Sequence, residues 1–189
     1  MENYLNTQFE ELRQALLELK ALSPRLAEIV RVCIQTLKNG HKIIFCGNGG
    51  SAAQSQHLAA ELVGRFKMER PAMNSISLTV DTSNLTAIGN DYGYDVIFSR
   101  QLEGVGQKGD VLIGLSTSGN SKNVVLAFEQ AQKMGIKTVA FVGAKGGMMK
   151  DMADYALCVP ATTSHHIQEM HIACGHLLCD LLEKEMYGQ

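Results

Sequence analysis

The sequence predicts an α/β fold in three layers, with a five-stranded parallel sheet between two layers of helices. From residue 41 onward, five short apolar runs alternate with segments of helical periodicity, as in proteins built from βαβ units. The runs are nearly continuous in apolar residues, which is typical of strands covered on both faces. Two of them end in turns rich in Gly, Ser and Asn. Because ligands in such folds bind at the carboxyl ends of the strands, we expect both turns to line one crevice.

The expected elements follow from the positions of these runs and of the helical patterns between them. The predicted strands cover residues 42–47, 74–78, 110–116, 137–143 and 155–160. The predicted helices that separate and follow them cover residues 50–66, 83–89, 96–106, 121–134 and 164–186. Since no linker or internal repeat interrupts the pattern, we expect a single domain over residues 1–189.

Two further helices are predicted before the first strand, over residues 3–38. An apolar stripe with a spacing of three to four residues runs along the first of them, through Leu5, Phe9, Leu12, Leu16 and Leu19. We expect Ser23 to cap the second helix, Pro24 to occupy its first position, and the Asn-Gly pair at 39–40 to end it. This lead-in, residues 1–39, carries more apolar surface than one domain needs, so we expect it to pack against another subunit.

Composition and charge argue against several classes of function. The chain has 189 residues, of which 46% are hydrophobic and 19% charged, as in a globular protein. A net charge of −2 and the absence of Trp argue against binding to nucleic acid or to an anionic membrane. No run approaches the ~20 apolar residues of a membrane span. The first residues lack the apolar core of a signal peptide, so we expect a cytoplasmic location.

The cysteines are expected to be buried free thiols in a reducing compartment. Their number is odd, and no Cys-x-x-Cys pair occurs. All of them lie in apolar runs of strand or helix character: Cys33, Cys46, Cys158, Cys174 and Cys179.

The stretch from Ser116 to Ser121, with the sequence STSGNS, is expected to bind a phosphate or a sugar phosphate. It joins a predicted strand to a predicted helix, so it presents backbone amides at a helix N-terminus with hydroxyl groups around them. The alternative is a polar turn that caps the helix, but a cap alone needs only one serine. A P-loop is excluded because no Gly-Lys-Ser/Thr follows.

The turn after the first strand contains Asn48, Gly49, Gly50 and Ser51 and is a candidate sugar site. Its spacing also matches the G-x-G-x-x-A fingerprint of dinucleotide-binding folds, for which Asp81 is the candidate ribose-binding acid. However, Asp81 lies farther from the turn than the ~20 residues that this fingerprint requires. The side chains of Asn48 and Ser51 add polarity that a sugar hydroxyl can use and that a plain tight turn does not need.

His57 and Glu61 stand four residues apart on a predicted helix and therefore share one face. Such a pair can bind one metal ion, divide the roles of base and acid, or form a surface ion pair. Arg65 follows one turn later on the same face and is a candidate to steady a carboxylate or a phosphate. Because this helix starts at the Gly-rich turn, its early turns can face the crevice.

The last predicted helix adds a second set of candidate ligands, with four histidines at His165, His166, His171 and His176. Helical geometry places Glu169 almost in register with His176 and places Gln168 about 80° around the helix. Spacing alone therefore favours Glu169 as the partner of His176. Histidines on an apolar helix are otherwise most often core residues, but His57, Glu61 and His176 together would form a ligand set suited to zinc.

The segment 87–95, AIGNDYGYD, is rich in Gly, Asn and Asp and is predicted to be a turn. It either connects two helices or supplies Asn90 and Asp91 to sugar hydroxyls. Its own sequence does not decide between these roles.

These motifs, taken in order, resemble the sugar isomerase (SIS) family, and within it the bacterial phosphoheptose isomerases. The segments that carry the resemblance are CGNGGSAA, QHLAAEL, GNDYG, STSGNS and HIQEMHIACGH, and the similarity spans nearly the whole chain. STSGNS is typical of the broad phosphosugar-binding superfamily, whereas the two pairs His57/Glu61 and Gln168/His176 are more specific to the isomerases. The resemblance implies an SIS-type fold, similar to flavodoxin and Rossmann folds. The chain departs from the family pattern in that His166 stands in place of an Arg and His165 replaces the residue before it.

The resemblance also implies an activity and an assembly. It implies a homotetramer with active sites between subunits and one zinc ion per subunit. Sedoheptulose 7-phosphate would become D-glycero-D-manno-heptose 7-phosphate, the first step toward activated heptoses for lipopolysaccharide or capsule. The implied zinc ligands are His57, Glu61, Gln168 and His176, which favours Gln168 over Glu169. The implied phosphate ligands are Ser116, Thr117, Ser118 and Ser121. The implied sugar contacts are Asn48, Gly49, Gly50, Ser51, Asn90 and Asp91.

The chemistry of the residues fits this reaction. Conversion of a ketose to an aldose moves a proton between C1 and C2 through an enediol, for which Glu61 is the candidate base and His176 the acid–base partner. One alternative is a noncatalytic relative that keeps the fold, binds the bacterial replication initiator and lacks the equivalents of Glu61 and His176. A nicotinamide-dependent enzyme and a sugar-phosphate sensor are further alternatives, although no DNA-binding domain is attached for the last.

Overall fold

The computed structural model describes residues 1–188 and contains a five-stranded parallel sheet, as the sequence predicts. The strands are β1 (Ile43–Gly47), β2 (Ser75–Ser77), β3 (Val111–Ser116), β4 (Lys137–Val142) and β5 (Tyr155–Cys158). The helices are α1 (Glu2–Leu19), α2 (Ser23–Lys38), α3 (Gly50–Val63), α4 (Thr82–Tyr92), α5 (Ile97–Val105), α6 (Lys122–Met134), α7 (Gly147–Met152) and α8 (Ser164–Tyr187). Two short 3₁₀ turns cover Lys20–Leu22 and Tyr94–Val96.

The order of the strands places the turns after β1 and β3 next to each other. The order across the sheet is β2-β1-β3-β4-β5, and all neighbours are parallel. The chain therefore moves outward in one direction from β1 and in the opposite direction from β3. Gly47 at the end of β1 pairs in register with Leu115 near the end of β3. The crevice of a doubly wound sheet lies at such a reversal point, where ligands bind.

Alternation of side chains along the central strands builds a core on each face of the sheet. Ile43 and Phe45 of β1 pack with α2, α3 and α8 on one face, whereas Ile44 and Cys46 pack with α5 and α6 on the other. These four side chains are fully buried. Both faces of β1 are therefore apolar, which explains why its sequence is a continuous apolar run. The predicted three-layer architecture is confirmed.

Four local predictions differ from the structure. Ser23 does not cap α2 but lies within it, and its hydroxyl donates to the carbonyl of Lys20 at 2.8 Å. α3 ends at Val63 rather than at residue 66, because the chain leaves helical geometry at Gly64. α4 extends to Tyr92 and so includes most of the segment that was predicted to be a turn. The short helix α7 was not predicted; it begins at Gly147, which has a positive φ, as does Gly146 before it.

The first helix leaves its apolar side chains largely exposed. Within the described residues, α1 has no buried side chain, and Phe9 is 68% exposed. Tyr4, Leu5 and Leu17 are exposed as well, while Leu19 packs against the core. The expected packing of this lead-in against another subunit stays a prediction.

The cysteines are free thiols among the described residues, as expected, and all except the half-buried Cys158 are buried. Burial raises the pKa of Cys33 and of Cys46 to about 12, so these thiols stay protonated and unreactive at neutral pH. Among residues 1–188, no helix is both long enough and apolar enough to cross a membrane.

The core also contains one titratable side chain that makes the fold sensitive to acid. His171 on α8 is fully buried, its ring lies 5.8 Å from that of Phe141, and within the described residues neither ring nitrogen has a hydrogen-bond partner. Burial lowers the pKa of His171 to about 4. The unfolded chain takes up this proton near the ordinary pKa of about 6.5. The folded chain does not, so stability falls as the pH drops from about 6.5 toward 4.

We predict that this histidine lowers the free energy of unfolding by about 2 kcal/mol between pH 7 and pH 5. His171→Leu should remove that part of the pH dependence, which urea denaturation at the two pH values measures. His165→Gln, a change at an exposed histidine of the same helix, is the matched control and should leave the pH dependence intact. An unchanged pH dependence in His171→Leu would contradict the prediction.

Candidate active site between two helices

The packing of α3 beside α8 brings three of the predicted site residues together. His57 Nε2 lies 2.9 Å from His176 Nε2 and 3.4 Å from Glu61 Oε1. One ligand atom from each of these residues lies within 4.8 Å of the others, and no other group of this kind occurs in the described part of the chain. The acid and the imidazole that the sequence places 115 positions apart therefore meet at one point.

A glycine permits this close approach of the two helices. Gly175 lies directly against Leu58, and a β-carbon on Gly175 would lie 2.6 Å from Leu58 Cδ2. Leu58 is itself fully buried, so it has little room to move away. The glycine therefore allows His176, its neighbour in the chain, to reach His57.

The cluster is fixed on one side and open on the other. The ring of Phe66 stacks on that of His176, with centroids 5.5 Å apart and planes at 26°. The side chain of His57 is 46% exposed and that of Glu61 is 21% exposed. Two imidazole nitrogens and one carboxylate oxygen with access to solvent match the three-ligand sites in which zinc keeps a position free for a substrate. The three residues therefore fit a catalytic zinc ion.

Gln168 and Glu169 lie away from this cluster. A β-carbon on Gly50 would lie 2.7 Å from Gln168 Nε2, so Gln168 is beside the first turn, and Gln54 donates to its backbone carbonyl at 2.6 Å. Eight residues of helix place Gln168 about 12 Å along α8 from His176. Glu169 instead accepts a hydrogen bond from His166 Nδ1 at 2.7 Å. Within one chain, neither side chain joins the three-residue cluster.

The Ser/Thr turn after β3 keeps its hydroxyl groups close together. Ser116 Oγ and Ser121 Oγ are 2.8 Å apart, and Ser116 Oγ also accepts the amide of Gly119 at 3.1 Å. Ser118 Oγ accepts the amide of Asn120 at 3.1 Å. Within the described residues no side chain caps α6, so the turn is not a simple helix cap. The first amides of α6 stay available to an anion.

A cavity of about 290 Å³ lies beside this turn. Thr117 and Ser118 line one side of it, and Lys145 and Ser164 line another. It therefore combines hydroxyl groups with one cationic side chain. A larger cavity of about 750 Å³ lies at the β2 edge; it is mainly apolar, and Asp81 is the one residue singled out from the sequence that lines it within the described chain.

The two polar turns form one crevice, as the strand order requires. Asn48 Nδ2 donates to Asn123 Oδ1 at 2.8 Å, and Asn123 Nδ2 donates back to Asn48 Oδ1 at 2.9 Å. The hydroxyl of Tyr94 also donates to Asn48 Oδ1 at 2.9 Å. Of the other residues in the first turn, Gly49 and Gly50 are exposed and Ser51 is buried.

The remaining candidates occupy other places. Asn90 and Asp91 are exposed in the last turn of α4 and bond to each other at 2.8 Å. Arg65 lies beyond the end of α3, with Nη1 3.9 Å from Glu69 Oε2, and so does not continue the face of His57 and Glu61 as expected. Asp81 caps α4 by accepting the amide of Asn84, which leaves the dinucleotide interpretation without its acid.

The crevice and the cluster lie at different levels of α3. Gly50 starts this helix at the crevice, whereas His57 and Glu61 lie seven and eleven residues later, about 10 and 16 Å along its axis. A single chain therefore holds two separate polar regions, one rich in hydroxyl groups and amides and one with imidazole and carboxylate groups.

Sequence reasoning missed four residues that shape these regions. Tyr94 and Asn123 form hydrogen bonds with Asn48. Phe66 stacks on His176, and Gly175 leaves the space that lets His176 approach His57. Only Gly175 left a signal, as an isolated glycine inside a helical pattern, which often marks close packing. The other three act through contacts between segments distant in sequence.

The chain is similar to known proteins over nearly its whole length. Residues 7–143 match the model of the SIS domain family. A phosphoheptose isomerase of Akkermansia muciniphila is 57% identical over 188 residues, covering 100% of both chains. One from Sulfurimonas denitrificans is 53% identical over 191 residues, covering 100% of this chain and 98% of that protein. The structure of a phosphoheptose isomerase from Neisseria gonorrhoeae superposes with a TM-score of 0.92 at 40% identity, covering 97% of this chain and 98% of that one.

We predict that Gly175→Ala lowers the free energy of unfolding by about 1–3 kcal/mol, because the added methyl group must displace the buried Leu58. Urea denaturation measures this loss. Gly104→Ala is the matched control: Gly104 lies in α5, and an added β-carbon there meets no atom within 4 Å. That change should stabilise the chain by about 0.5–1 kcal/mol through the better helix propensity of Ala. Equal stability of Gly175→Ala and the wild type would show that the helices have room for the methyl group.

Proposed function

We propose that this chain, which belongs to the SIS domain family and within it to the phosphoheptose isomerases, converts sedoheptulose 7-phosphate to D-glycero-D-manno-heptose 7-phosphate. The observation that carries the proposal is the meeting of Glu61 and His176 in a fold that also holds a phosphate-type turn. The product would serve the cytoplasmic synthesis of activated heptoses for lipopolysaccharide or capsule.

The reaction requires one proton to leave C1 of the ketose and another to reach C2. Glu61 is the proposed base for C1, because its carboxylate is partly exposed and its one polar side-chain contact within residues 1–188 is the 3.4 Å approach to His57. His176 can exchange protons with the substrate oxygens or with C2, since the stack on Phe66 orients its ring. The transfer would be complete when a proton is added to C2 of the bound enediol.

A zinc ion, one per subunit, is the proposed cofactor, held by His57, Glu61 and His176. When bound, the ion would polarise the substrate carbonyl and stabilise negative charge on the enediol oxygens. A carboxylate held by zinc is a weaker base, so Glu61 would ligate for only part of the cycle. If Gln168 is the fourth ligand, it must come from another subunit, since it lies about 12 Å from His176 along its own helix.

The phosphate would bind at the turn of Ser116, Thr117, Ser118 and Ser121, where hydroxyl groups and helix amides accept a dianion. Asn48, Gly49, Gly50, Ser51, Asn90 and Asp91 would contact the sugar, with Arg65 as a further candidate. Fixing the phosphate would hold C1 and C2 in a reactive position.

Assembly of subunits would bring the two polar regions together. Along α3, the start of the helix at the crevice lies about 10 Å from His57 and about 16 Å from Glu61, which favours a site built from more than one copy. The exposed apolar side chains of α1 supply a surface for such packing. A homotetramer, with residues 1–39 in its interfaces, is therefore part of the proposal.

The first test of this proposal is turnover of sedoheptulose 7-phosphate by the purified protein. Glu61→Gln and His176→Gln should each lower kcat by about 10²–10⁴-fold, because each removes a proton-transfer group. The assay follows aldose formation before and after a chelator, which should also abolish turnover. Sedimentation of each variant checks that assembly is unchanged. A near-wild-type rate in either variant would remove that residue from the mechanism, and no turnover by wild type would favour the noncatalytic alternative.

The second test addresses the phosphate turn. Ser118→Ala should raise KM about tenfold, because it removes one hydrogen bond to a charged group and loosens the amide of Asn120. Steady-state kinetics separates this effect from kcat, which should change little. Ser83→Ala, at an exposed serine of α4, is the control and should leave both constants unchanged. An unaltered KM in Ser118→Ala would place the phosphate elsewhere.

A further inference from the structure

We propose that Arg70 and Glu183 are positioning residues for the cluster of His57, Glu61 and His176. They form an ion pair whose side chains are 0% and 1% exposed, between the segment after α3 and the helix α8. The proposal rests on the proposed function, because it assigns a role in that reaction. The structure assigns the pair to the cluster through three sets of contacts.

The first contacts are those of the Glu183 carboxylate. It accepts the backbone amides of Phe66 and Lys67 at 2.7 Å and of Met68 at 3.0 Å. Its fourth partner is Arg70 Nε at 3.0 Å. Burial alone would raise the pKa of Glu183, but the three amides and the charge of Arg70 hold it below its ordinary value. The carboxylate therefore stays ionised and ties the segment after α3 to α8.

The second contacts are those of the Arg70 guanidinium with the end of α3. Nη2 donates to the carbonyl of Glu61 at 2.8 Å, and Nη1 donates to the carbonyls of Leu62 at 2.7 Å and of Gly64 at 3.2 Å. Carbonyls in the last turn of a helix have few partners within the helix, and a cation is favourable there. Arg70 therefore binds the backbone of the proposed base itself.

The third contact passes through Phe66. Its amide donates to Glu183, and its ring stacks on the imidazole of His176. Glu183 lies seven residues after His176, two turns along α8 and on nearly the same face. The same ion pair thus holds the backbone of Glu61, the ring that supports His176, and the helix that carries His176.

Stability of the fold alone does not account for this arrangement. Apolar side chains of similar volume often stabilise a core as well as a buried ion pair does. Apolar groups would leave the carbonyl of Glu61 and the amide of Phe66 without the directed partners that Arg70 and Glu183 supply. Metal ligands depend on residues behind them for orientation, and loss of those residues typically lowers metal affinity 10–100-fold.

The test compares two conservative changes with a matched control. Arg70→Lys keeps the charge but cannot make the same set of directed bonds, and Glu183→Gln keeps the shape but loses the charge. Asp180→Asn is the control, because Asp180 joins the same segment to the same helix through an exposed ion pair with Lys67 at 2.7 Å. Each protein is titrated with Co²⁺, whose visible spectrum reports coordination, and assayed with sedoheptulose 7-phosphate.

We expect both changes to weaken Co²⁺ binding 10–100-fold, to alter the Co²⁺ spectrum, and to lower kcat with KM within about twofold of wild type. Asp180→Asn should leave all three unchanged. Wild-type Co²⁺ affinity, spectrum and kcat in folded Arg70→Lys and Glu183→Gln would overturn the proposal. An equal loss in Asp180→Asn would also overturn it, because the effect would then come from any link between these segments.

A third variant decides the question if the buried changes prevent folding. Phe66→Leu keeps the hydrogen bond from the backbone amide of residue 66 to Glu183 but removes the ring that stacks on His176. It should therefore alter the Co²⁺ spectrum and the Co²⁺ affinity. Wild-type values in Phe66→Leu would then overturn the proposal. If wild type binds Co²⁺ but does not turn over sedoheptulose 7-phosphate, the proposed substrate is wrong while the affinity data still decide the role of the pair. If wild type turns over the sugar without binding Co²⁺, the kcat values of the variants decide whether Arg70 and Glu183 are positioning residues.

Discussion

The close contact between α3 and α8 is the constraint on which the candidate active site depends. Both helices cover the same face of the sheet and run in the same direction, so each turn of one meets a corresponding turn of the other. Gly175 lies in this contact, where a β-carbon would meet Leu58. The imidazole of His176 can reach that of His57 only because the backbone of α8 lies so near to α3.

Glu61 differs from two buried carboxylates of the chain in what surrounds it. Asp110 and Glu183 are fully buried, and each is satisfied by backbone amides together with one cation. Such groups hold segments of the chain together. Glu61 has no such amide partners within the described residues, is partly exposed, and faces two histidines. Its environment is suited to a group that must bind a metal ion or exchange a proton.

The reversal of direction between β1 and β3 explains the position of the crevice formed by the two polar turns. Parallel neighbours bring the ends of both strands to one edge, and the reciprocal bonds between Asn48 and Asn123 join the turns that follow. α3 then spans the distance from this crevice to the cluster. The proposal of a site shared between copies of the chain rests on the separation of Glu61 from the start of α3, about 16 Å along the helix.

The sequence by itself determined the elements and the residue types of the site, because both depend on patterns within short segments. The apolar runs predicted all five strands, and the spacing of four residues correctly placed His57 and Glu61 on one face of a helix. Only the tertiary structure decided which segments meet. Register along α8 favoured Glu169 as the partner of His176, yet Glu169 bonds to His166, because rotation around a helix says nothing about distance along it. Phe66 and Arg70 likewise contact Glu183 on a helix more than a hundred residues away, which no local pattern encodes.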